Sequence, residues 1–169
     1  MSSTGYKITH DWFSNTEIKA NLARFLQPNE QHDILEVGSY EGLSACFFSN
    51  QFCNHPDSTL TCVDPFDLSD VSTPLTDNIR SNFHHNIATT ANASKITVFE
   101  TYSNKFFPEN VKQFDMIYID GSHIEEDIIY DMTEADKVLK IGGIMWMDDY
   151  MGGKPGQKIR ETMDGFVEG

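Results

Sequence analysis

Residues 33–44 read DILEVGSYEGLS, and this segment indicates the architecture of the whole chain. The apolar run 34–37 is typical of a buried strand. Gly38 permits a tight turn and lets a ligand approach the backbone closely. Residues 39–44 open a predicted helix, whose first N–H groups lack partners and favour an anion. A strand, a glycine turn and a helix N-terminus together are typical of a nucleotide-like cofactor site.

Glu36 strengthens this interpretation, because it is an acid inside an apolar strand. A buried carboxylate is costly unless it is paired, so packing gives no reason for this residue. Two glycines alone are a weak signal, since many α/β proteins have the same turn without a ligand. The rest of the chain must therefore distinguish a cofactor site from an ordinary turn.

The charge balance limits the classes of partner. The 169 residues include 26 acids and 12 basic residues, which gives a net charge of −14. A balance this negative argues against nonspecific binding of nucleic acid or of anionic membranes. No apolar run could span a bilayer, and the N-terminus has no signal-peptide pattern. Three cysteines without CxxC spacing favour a reduced, cytoplasmic location with each thiol in the core.

The length predicts a single domain covering residues 1–169. Residues 1–30 form an N-terminal helical cover, with a helix over Asp11–Leu26. Residues 31–150 form the cofactor- and metal-binding core, and residues 151–169 carry a loop and a last helix. The predicted core strands are 34–37, 60–64, 96–100, 114–120 and 144–147. The other predicted helices are 42–52, 75–89, 125–139, capped by Gly142-Gly143, and 157–167.

This alternation of strands and helices predicts an α/β fold, with a mostly parallel sheet and helices on both of its faces. Right-handed crossovers then place the first and fourth strands side by side at the switch point. Four of the five strands end in carboxylates: Glu36, Asp64, Asp120 and the pair Asp148-Asp149. Because the carboxyl ends of the strands share one edge, this edge is the predicted ligand site.

The acids suggest two kinds of ligand. Asp64 follows Gly42 by 22 residues, near the spacing at which an acid receives a ribose diol. Asp120, Asp148 and Asp149 are expected to converge, and three oxygen ligands suit Mg²⁺ better than zinc. The alternative is an acidic loop edge without a cation, where each carboxylate would raise the pKa of its neighbours.

His123 follows Asp120 by three residues. An imidazole beside the predicted metal could accept a proton near neutral pH. A lone histidine is more often an ordinary surface or core residue, and that alternative stays open from the sequence.

The segment 34–44 resembles motif I of the class I S-adenosylmethionine-dependent methyltransferases. Segments 114–123 and 142–150 resemble the metal-binding half of metal-dependent small-molecule O-methyltransferases, and are similar to the catechol and macrolide-sugar enzymes. The gap of 28 residues from Asp120 to Asp148 agrees with the catechol enzymes. The resemblance covers residues 34–167. It implies a Rossmann-like methyltransferase sandwich that uses S-adenosyl-L-methionine and Mg²⁺ or another divalent cation.

The resemblance implies a role for each matching residue. Gly38 and Gly42 admit the methionine end of the cofactor, Ser44 contacts its carboxylate, and Glu36 lies beneath it. Asp64 holds the ribose hydroxyls. The adenine is contacted by Pro65 and Phe66, and at its edge by Ser103 and Asn104. The whole predicted cofactor set is Glu36, Gly38, Ser39, Tyr40, Gly42, Ser44, Asp64, Pro65, Phe66, Ser103, Asn104, Asp120 and Gly121.

The resemblance also implies the chemistry. Asp120, Asp148 and Asp149 match the metal ligands, and Asp120 and His123 are the predicted catalytic residues. His123 stands where the catechol enzymes have a lysine and the sugar enzymes a histidine. The implied reaction is in-line transfer of a methyl group from the sulfonium to a hydroxyl of a sugar or phenol. The metal would lower the pKa of that hydroxyl.

One departure from the family concerns the sheet, which normally has two further strands after the last helix. The sequence stops at Gly169 without them, so strand five would be an open edge unless a homo-oligomer covers it. Two other functions stay open. One is a non-catalytic binding module on the same fold. The other is a nicotinamide-dependent oxidoreductase, whose fingerprint needs a third glycine that residues 41–45 lack.

Overall fold

The computed structural model describes residues 5–14, 18–67, 78–151 and 158–168. The strands are β1 (Asp33–Val37), β2 (Thr59–Val63), β3 (Ile96–Phe99), β4 (Phe114–Ile119) and β5 (Leu139–Met147). The α-helices are α1 (Ile18–Leu22), α2 (Leu43–Phe52), α3 (Ile79–Ala88), α4 (Ser103–Glu109), α5 (Glu125–Val138) and α6 (Ile159–Glu168). A short 3₁₀ turn covers Ala93–Lys95.

The five strands form one sheet in the order β3-β2-β1-β4-β5, and every pairing is parallel. The predicted α/β fold and the pairing of the first and fourth strands are therefore confirmed. Side chains alternate between two cores. Ile34 packs with the side chains of α1, α2 and α3, whereas Leu35 and Val37 pack with those of α4, α5 and α6. Within the described parts of the chain, no strand follows β5.

The acids that follow β2, β4 and β5 stand in a row at one edge of the sheet. The backbone N–H of Asp64 donates to Phe99 O at 3.1 Å, and that of Asp120 to Val37 O at 2.8 Å. The N–H of Asp148 donates likewise to Ile119 O at 3.0 Å. Each acid is thus fixed to the end of the neighbouring strand, as the parallel arrangement requires.

The predicted N-terminal helix over Asp11–Leu26 is wrong in extent. Helix α1 begins at Ile18 and ends at Leu22, and residues 15–17 lie outside the described part. In the segment before this helix, two backbone N–H groups bind side chains that are distant in the sequence. Lys7 N–H donates to Asn86 Oδ1 at 2.7 Å, and Thr9 N–H donates to Glu41 Oε2 at 2.6 Å. These bonds attach the segment before the predicted helix to α3 and to the turn after β1.

The predicted helix cap at Gly142-Gly143 is also wrong, because both glycines lie inside β5. Helix α5 ends at Val138 and the strand begins at once. Lys140 Nζ holds the start of the strand with bonds to Asp33 Oδ2 at 3.0 Å and Asp115 Oδ2 at 2.9 Å. The register shifts opposite this point, and Gly142 has a φ of 82°. The glycines therefore serve a bulge in the strand.

Helix α4 was not predicted, since the sequence analysis placed no element at 103–109. It is short, contains Pro108 and buries only Phe106 and Phe107, so it shows no full helical period. In α5, Ile128 and Met132 are buried, whereas Ile129 is 45% exposed. The predicted helix 75–89 begins outside the described residues and appears as α3.

All three cysteines are buried and unpaired with one another, as predicted. Of the helices that the structure describes, none is both long and apolar enough to cross a membrane.

Candidate active site

The two glycines of the segment after β1 are required by their surroundings. Gly38 has a φ of 84°, and a Cβ there would lie 2.0 Å from the backbone oxygen of Asp120. Gly42 has a φ of 79°, and its Cβ would lie 2.8 Å from the ring of Phe83. Both conformations favour glycine, and both sites lack room for a side chain. The group that approaches Gly38 closely is therefore the backbone of Asp120, directly after β4. The ligand predicted at this glycine stays a prediction.

Asp64 joins the turns that follow β1 and β2. Its Oδ2 accepts the backbone N–H groups of Ser39 at 2.7 Å and Tyr40 at 2.8 Å, and its Oδ1 accepts that of Phe66 at 2.6 Å. Burial raises the pKa of Asp64, although these three bonds oppose the change. Tyr40 and Phe66 both have left-handed backbones, with φ of 49° and 51°. Such strain is concentrated at functional sites.

The roles predicted for Asp64, Pro65 and Phe66 toward ribose and adenine stay predictions. The Asp64 carboxylate already accepts three bonds, so a ribose diol would have to share its remaining lone pairs. The ring of Phe66 packs against that of Phe83, with 5.0 Å between centroids.

Glu36 is fully buried beneath the same turn. Its Oε2 accepts a bond from Ser39 Oγ at 2.5 Å, and its Oε1 has no hydrogen-bond partner among the described residues. Burial raises the pKa of Glu36 to about 7, against the effect of hydrogen bonds from Ser39 and Ser44. Near neutral pH this carboxyl is therefore poised between its two protonation states.

A cavity, here called the loop cavity, opens between the N-terminal segment and the turn after β1. It is lined by His10, Trp12, Phe13, Ser39, Tyr40, Leu43, Ser44, Asp120 and Asp148. Trp12 stacks on Tyr40 at 4.6 Å between centroids, and His10 stacks on Trp12 at 5.4 Å. The cavity brings the predicted cofactor residues Ser39, Tyr40 and Ser44 together with two predicted metal ligands.

Asp120, His123 and Asp149 form a cluster whose potential ligand atoms all lie within 4.8 Å of one another. His123 Nε2 lies 2.7 Å from Asp149 Oδ2, and Asp149 has a φ of 55°. Burial, followed by the charges of Asp148 and Asp149, raises the pKa of Asp120 well above its ordinary range. A cation between carboxylates held this close would reduce their electrostatic repulsion.

Asp148 is linked to the same cluster through Tyr118. The Tyr118 hydroxyl donates to Asp148 Oδ2 at 2.5 Å and lies 3.1 Å from Asp120 Oδ2. Burial, and then the charges of Asp120 and Asp148, raise the pKa of Tyr118, so the hydroxyl remains a donor. Sequence reasoning missed Tyr118. It precedes Asp120 by two residues, and that spacing on a strand places both side chains on one face.

Ser103 and Asn104 lie in the first turn of α4. Their predicted contact with the adenine stays a prediction. Asp131 of α5 is buried, and burial raises its pKa to about 6 while a hydrogen bond from Ser103 opposes the change. A Cβ on Gly121 would lie 3.6 Å from Asp131 Oδ2. Asp131 therefore bonds to Ser103 and lies close to Gly121, and no local sequence signal indicated it.

Comparison with known proteins identifies the family of this chain. Residues 35–150 match a family model described as a methyltransferase domain. An O-methyltransferase from Bacillus cereus, in complex with SAH, is 15% identical, with a TM-score of 0.69 over 95% of this chain and 71% of that one. The O-methyltransferase TomG from Streptomyces achromogenes, involved in tomaymycin synthesis and in complex with SAM, is 17% identical, with a TM-score of 0.64 over 90% and 66%.

The same fold also supports other chemistry. A precorrin 8w decarboxylase from Methanobacterium thermoautotrophicum is 12% identical, with a TM-score of 0.68 over 96% of this chain and 76% of that one. At these identities the likeness shows the fold alone. No curated protein sequence matches the chain.

Proposed function

The chain belongs to the methyltransferase domain family, and from this premise we propose that it transfers a methyl group from S-adenosylmethionine to a hydroxyl of a small molecule, either a sugar or a phenol. The loop cavity is the observation that carries the proposal. Ser39, Tyr40 and Ser44, which the motif assigns to the cofactor, line it together with Asp120 and Asp148. Donor site and acidic site thus share one space, as a direct transfer between two bound molecules requires.

The methionine end of the cofactor would bind at the start of α2. Ser44 lies in the first turn of that helix, where free N–H groups favour a carboxylate. Glu36 would act from beneath, because Ser39 donates a hydrogen bond to Glu36 and also lines the cavity. The positive charge of the cofactor would favour the ionised form of Glu36. Solved relatives of the same fold contain SAM or SAH, which supports this cofactor.

A divalent cation such as Mg²⁺ would be held by Asp120, Asp148 and Asp149. The donor chemistry fits, because Asp120, Asp148 and Asp149 line one pocket and hard oxygen ligands suit Mg²⁺. The atoms of Asp120, Asp149 and His123 form the close group, and Asp148 joins it through Tyr118. When bound, such an ion lowers the pKa of the acceptor hydroxyl and orients it.

His123 would take the proton of that hydroxyl while the S–CH₃ bond breaks and the O–CH₃ bond forms. Asp149, 2.7 Å from its Nε2, would orient the ring and stabilise its protonated form. The roof formed by Trp12 and His10 would exclude water from the cavity.

Titration calorimetry with S-adenosylhomocysteine, with and without Mg²⁺, tests the proposal. We expect the chain to bind this product in the absence of the metal. Asp148→Asn should weaken the binding of Mg²⁺ by about tenfold or more, because an amide is a poorer ligand than a carboxylate. It should leave the affinity for S-adenosylhomocysteine nearly unchanged.

The outcomes separate the alternatives. A chain that binds S-adenosylhomocysteine but methylates no sugar or phenol in a hydroxyl-compound panel would be a binding module. Preference for a nicotinamide dinucleotide would indicate the oxidoreductase, which the family match disfavours. Full methyl transfer by Asp148→Asn in the presence of a chelator would remove the metal from the proposal.

His123→Ala should lower kcat by about 100-fold at neutral pH, which is typical of losing a general base. The rate should then rise toward alkaline pH, where the acceptor hydroxyl ionises without help. His55→Ala is the matched control, since His55 lies before β2, away from the acidic edge. The pH–rate profile is the measurement, and an unchanged profile would end the assignment of His123 as base.

A further inference from the structure

We propose that Tyr118 is a positioning residue for the cation site, whose hydroxyl holds Asp120 and Asp148 at a fixed spacing. The inference rests on the proposed function, since it assumes that these acids bind a divalent ion. It concerns a residue that the motif resemblance did not include.

The hydroxyl lies between the two acids. It donates to Asp148 Oδ2 at 2.5 Å, and Asp120 Oδ2 lies 3.1 Å away. One donor therefore bridges a carboxylate that follows β4 and a carboxylate that follows β5. Each carboxylate keeps its second oxygen for another partner.

The ring of Tyr118 cannot move easily. It is fully buried, and it packs edge-on against Phe48 of α2 at 5.2 Å between centroids. Its backbone is paired on both sides, with Glu36 of β1 and with Trp146 of β5. A phenylalanine would fill the same space, so packing does not account for the hydroxyl. Burying that group costs free energy unless it forms hydrogen bonds, and here its partners are the two acids.

A bridging donor would hold the two carboxylates in the arrangement that a cation needs. Two carboxylates that approach each other repel and would turn apart before an ion arrives. A hydrogen bond from a rigid group keeps both in position, as outer-shell groups do for the ligands of a metal. Removal of such a group typically weakens metal binding by about 10- to 100-fold.

Tyr118→Phe tests the inference, with Mn²⁺ as the probe ion in titration calorimetry. We expect Mn²⁺ to bind about 10- to 100-fold more weakly, while the affinity for S-adenosylhomocysteine, measured without metal, changes by less than about twofold. Tyr130→Phe is the matched control, because Tyr130 lies on α5 and packs against Phe107. It should leave both affinities unchanged. Equal Mn²⁺ affinity in Tyr118→Phe and the wild type would overturn the inference.

A double-mutant cycle separates positioning from a general loss of structure. Asp148→Ala alone should weaken Mn²⁺ binding, and adding Tyr118→Phe should then cost little more, because the bridge has already lost one of its two carboxylates. Fully additive losses would contradict the inference.

Failure of the wild type to bind Mn²⁺ would also contradict the inference. If S-adenosylhomocysteine still bound, the methyl-transfer proposal would survive that result. Absence of S-adenosylhomocysteine binding would instead contradict the proposed function while leaving the Mn²⁺ comparison meaningful.

Discussion

Gly38→Ala is expected to lower the free energy of unfolding by about 4 kcal/mol and to abolish measurable binding of S-adenosylhomocysteine. Two effects combine at this position. A φ of 84° is strained for alanine, and the new Cβ would lie 2.0 Å from the backbone oxygen of Asp120. Because the obstacle is backbone, it cannot turn aside as a side chain could. Either the turn after β1 or the end of β4 must shift, and both line the site.

Two alanine substitutions separate these effects in urea unfolding followed by circular dichroism. Gly142 has nearly the same φ, 82°, but nothing lies within 4 Å of its Cβ position. Gly142→Ala should therefore cost only the strain, about 1 kcal/mol. Gly165→Ala, in helix α6 and also in open space, should stabilise the chain by roughly 1 kcal/mol. A Gly38→Ala cost no larger than that of Gly142→Ala would mean that β1 and β4 do not meet as described.

Gly38 illustrates which features of the site could be predicted from the sequence. The pattern predicted a close approach at Gly38, and the approach exists, but the partner is Asp120 of the same chain. The alignment of the acids could be predicted, since apolar runs that alternate with helices give a parallel sheet whose carboxyl ends share an edge. A motif thus located the site without giving the physical reason for each of its residues.

The parts that sequence reasoning missed depend on distant contacts. Lys7 and Asn86 are 79 residues apart, yet their bond attaches the N-terminal segment to α3. The same segment carries Trp12, whose ring stacks on that of Tyr40. Local periodicity cannot register such a contact, because it reads only neighbouring residues. The bulge in β5 depends likewise on Lys140, which binds Asp33 and Asp115.

Glu36→Gln is expected to raise the free energy of unfolding at pH 8 by up to about 3 kcal/mol. Burial raises the pKa of Glu36 from 4.5 to about 7 in the folded chain. The folded state therefore holds this proton more tightly than the unfolded state does. The wild type loses stability as the pH rises from about 4.5 to about 7, and the loss is complete above that window. Glutamine carries no charge to bury, so its advantage should grow over the same window and vanish near pH 4.

Urea unfolding of both chains between pH 4 and pH 8 measures this difference, and Glu109→Gln, at an exposed acid, serves as the control. A constant difference across the range would show that Glu36 is not buried as a charge. A residue that costs stability at neutral pH needs another reason to be there. If Glu36 supports the cationic cofactor through Ser39, the more stable Glu36→Gln chain should bind S-adenosylmethionine more weakly than the wild type. If the Glu36→Gln chain is more stable and binds the cofactor as tightly as the wild type, Glu36 has no role in cofactor binding.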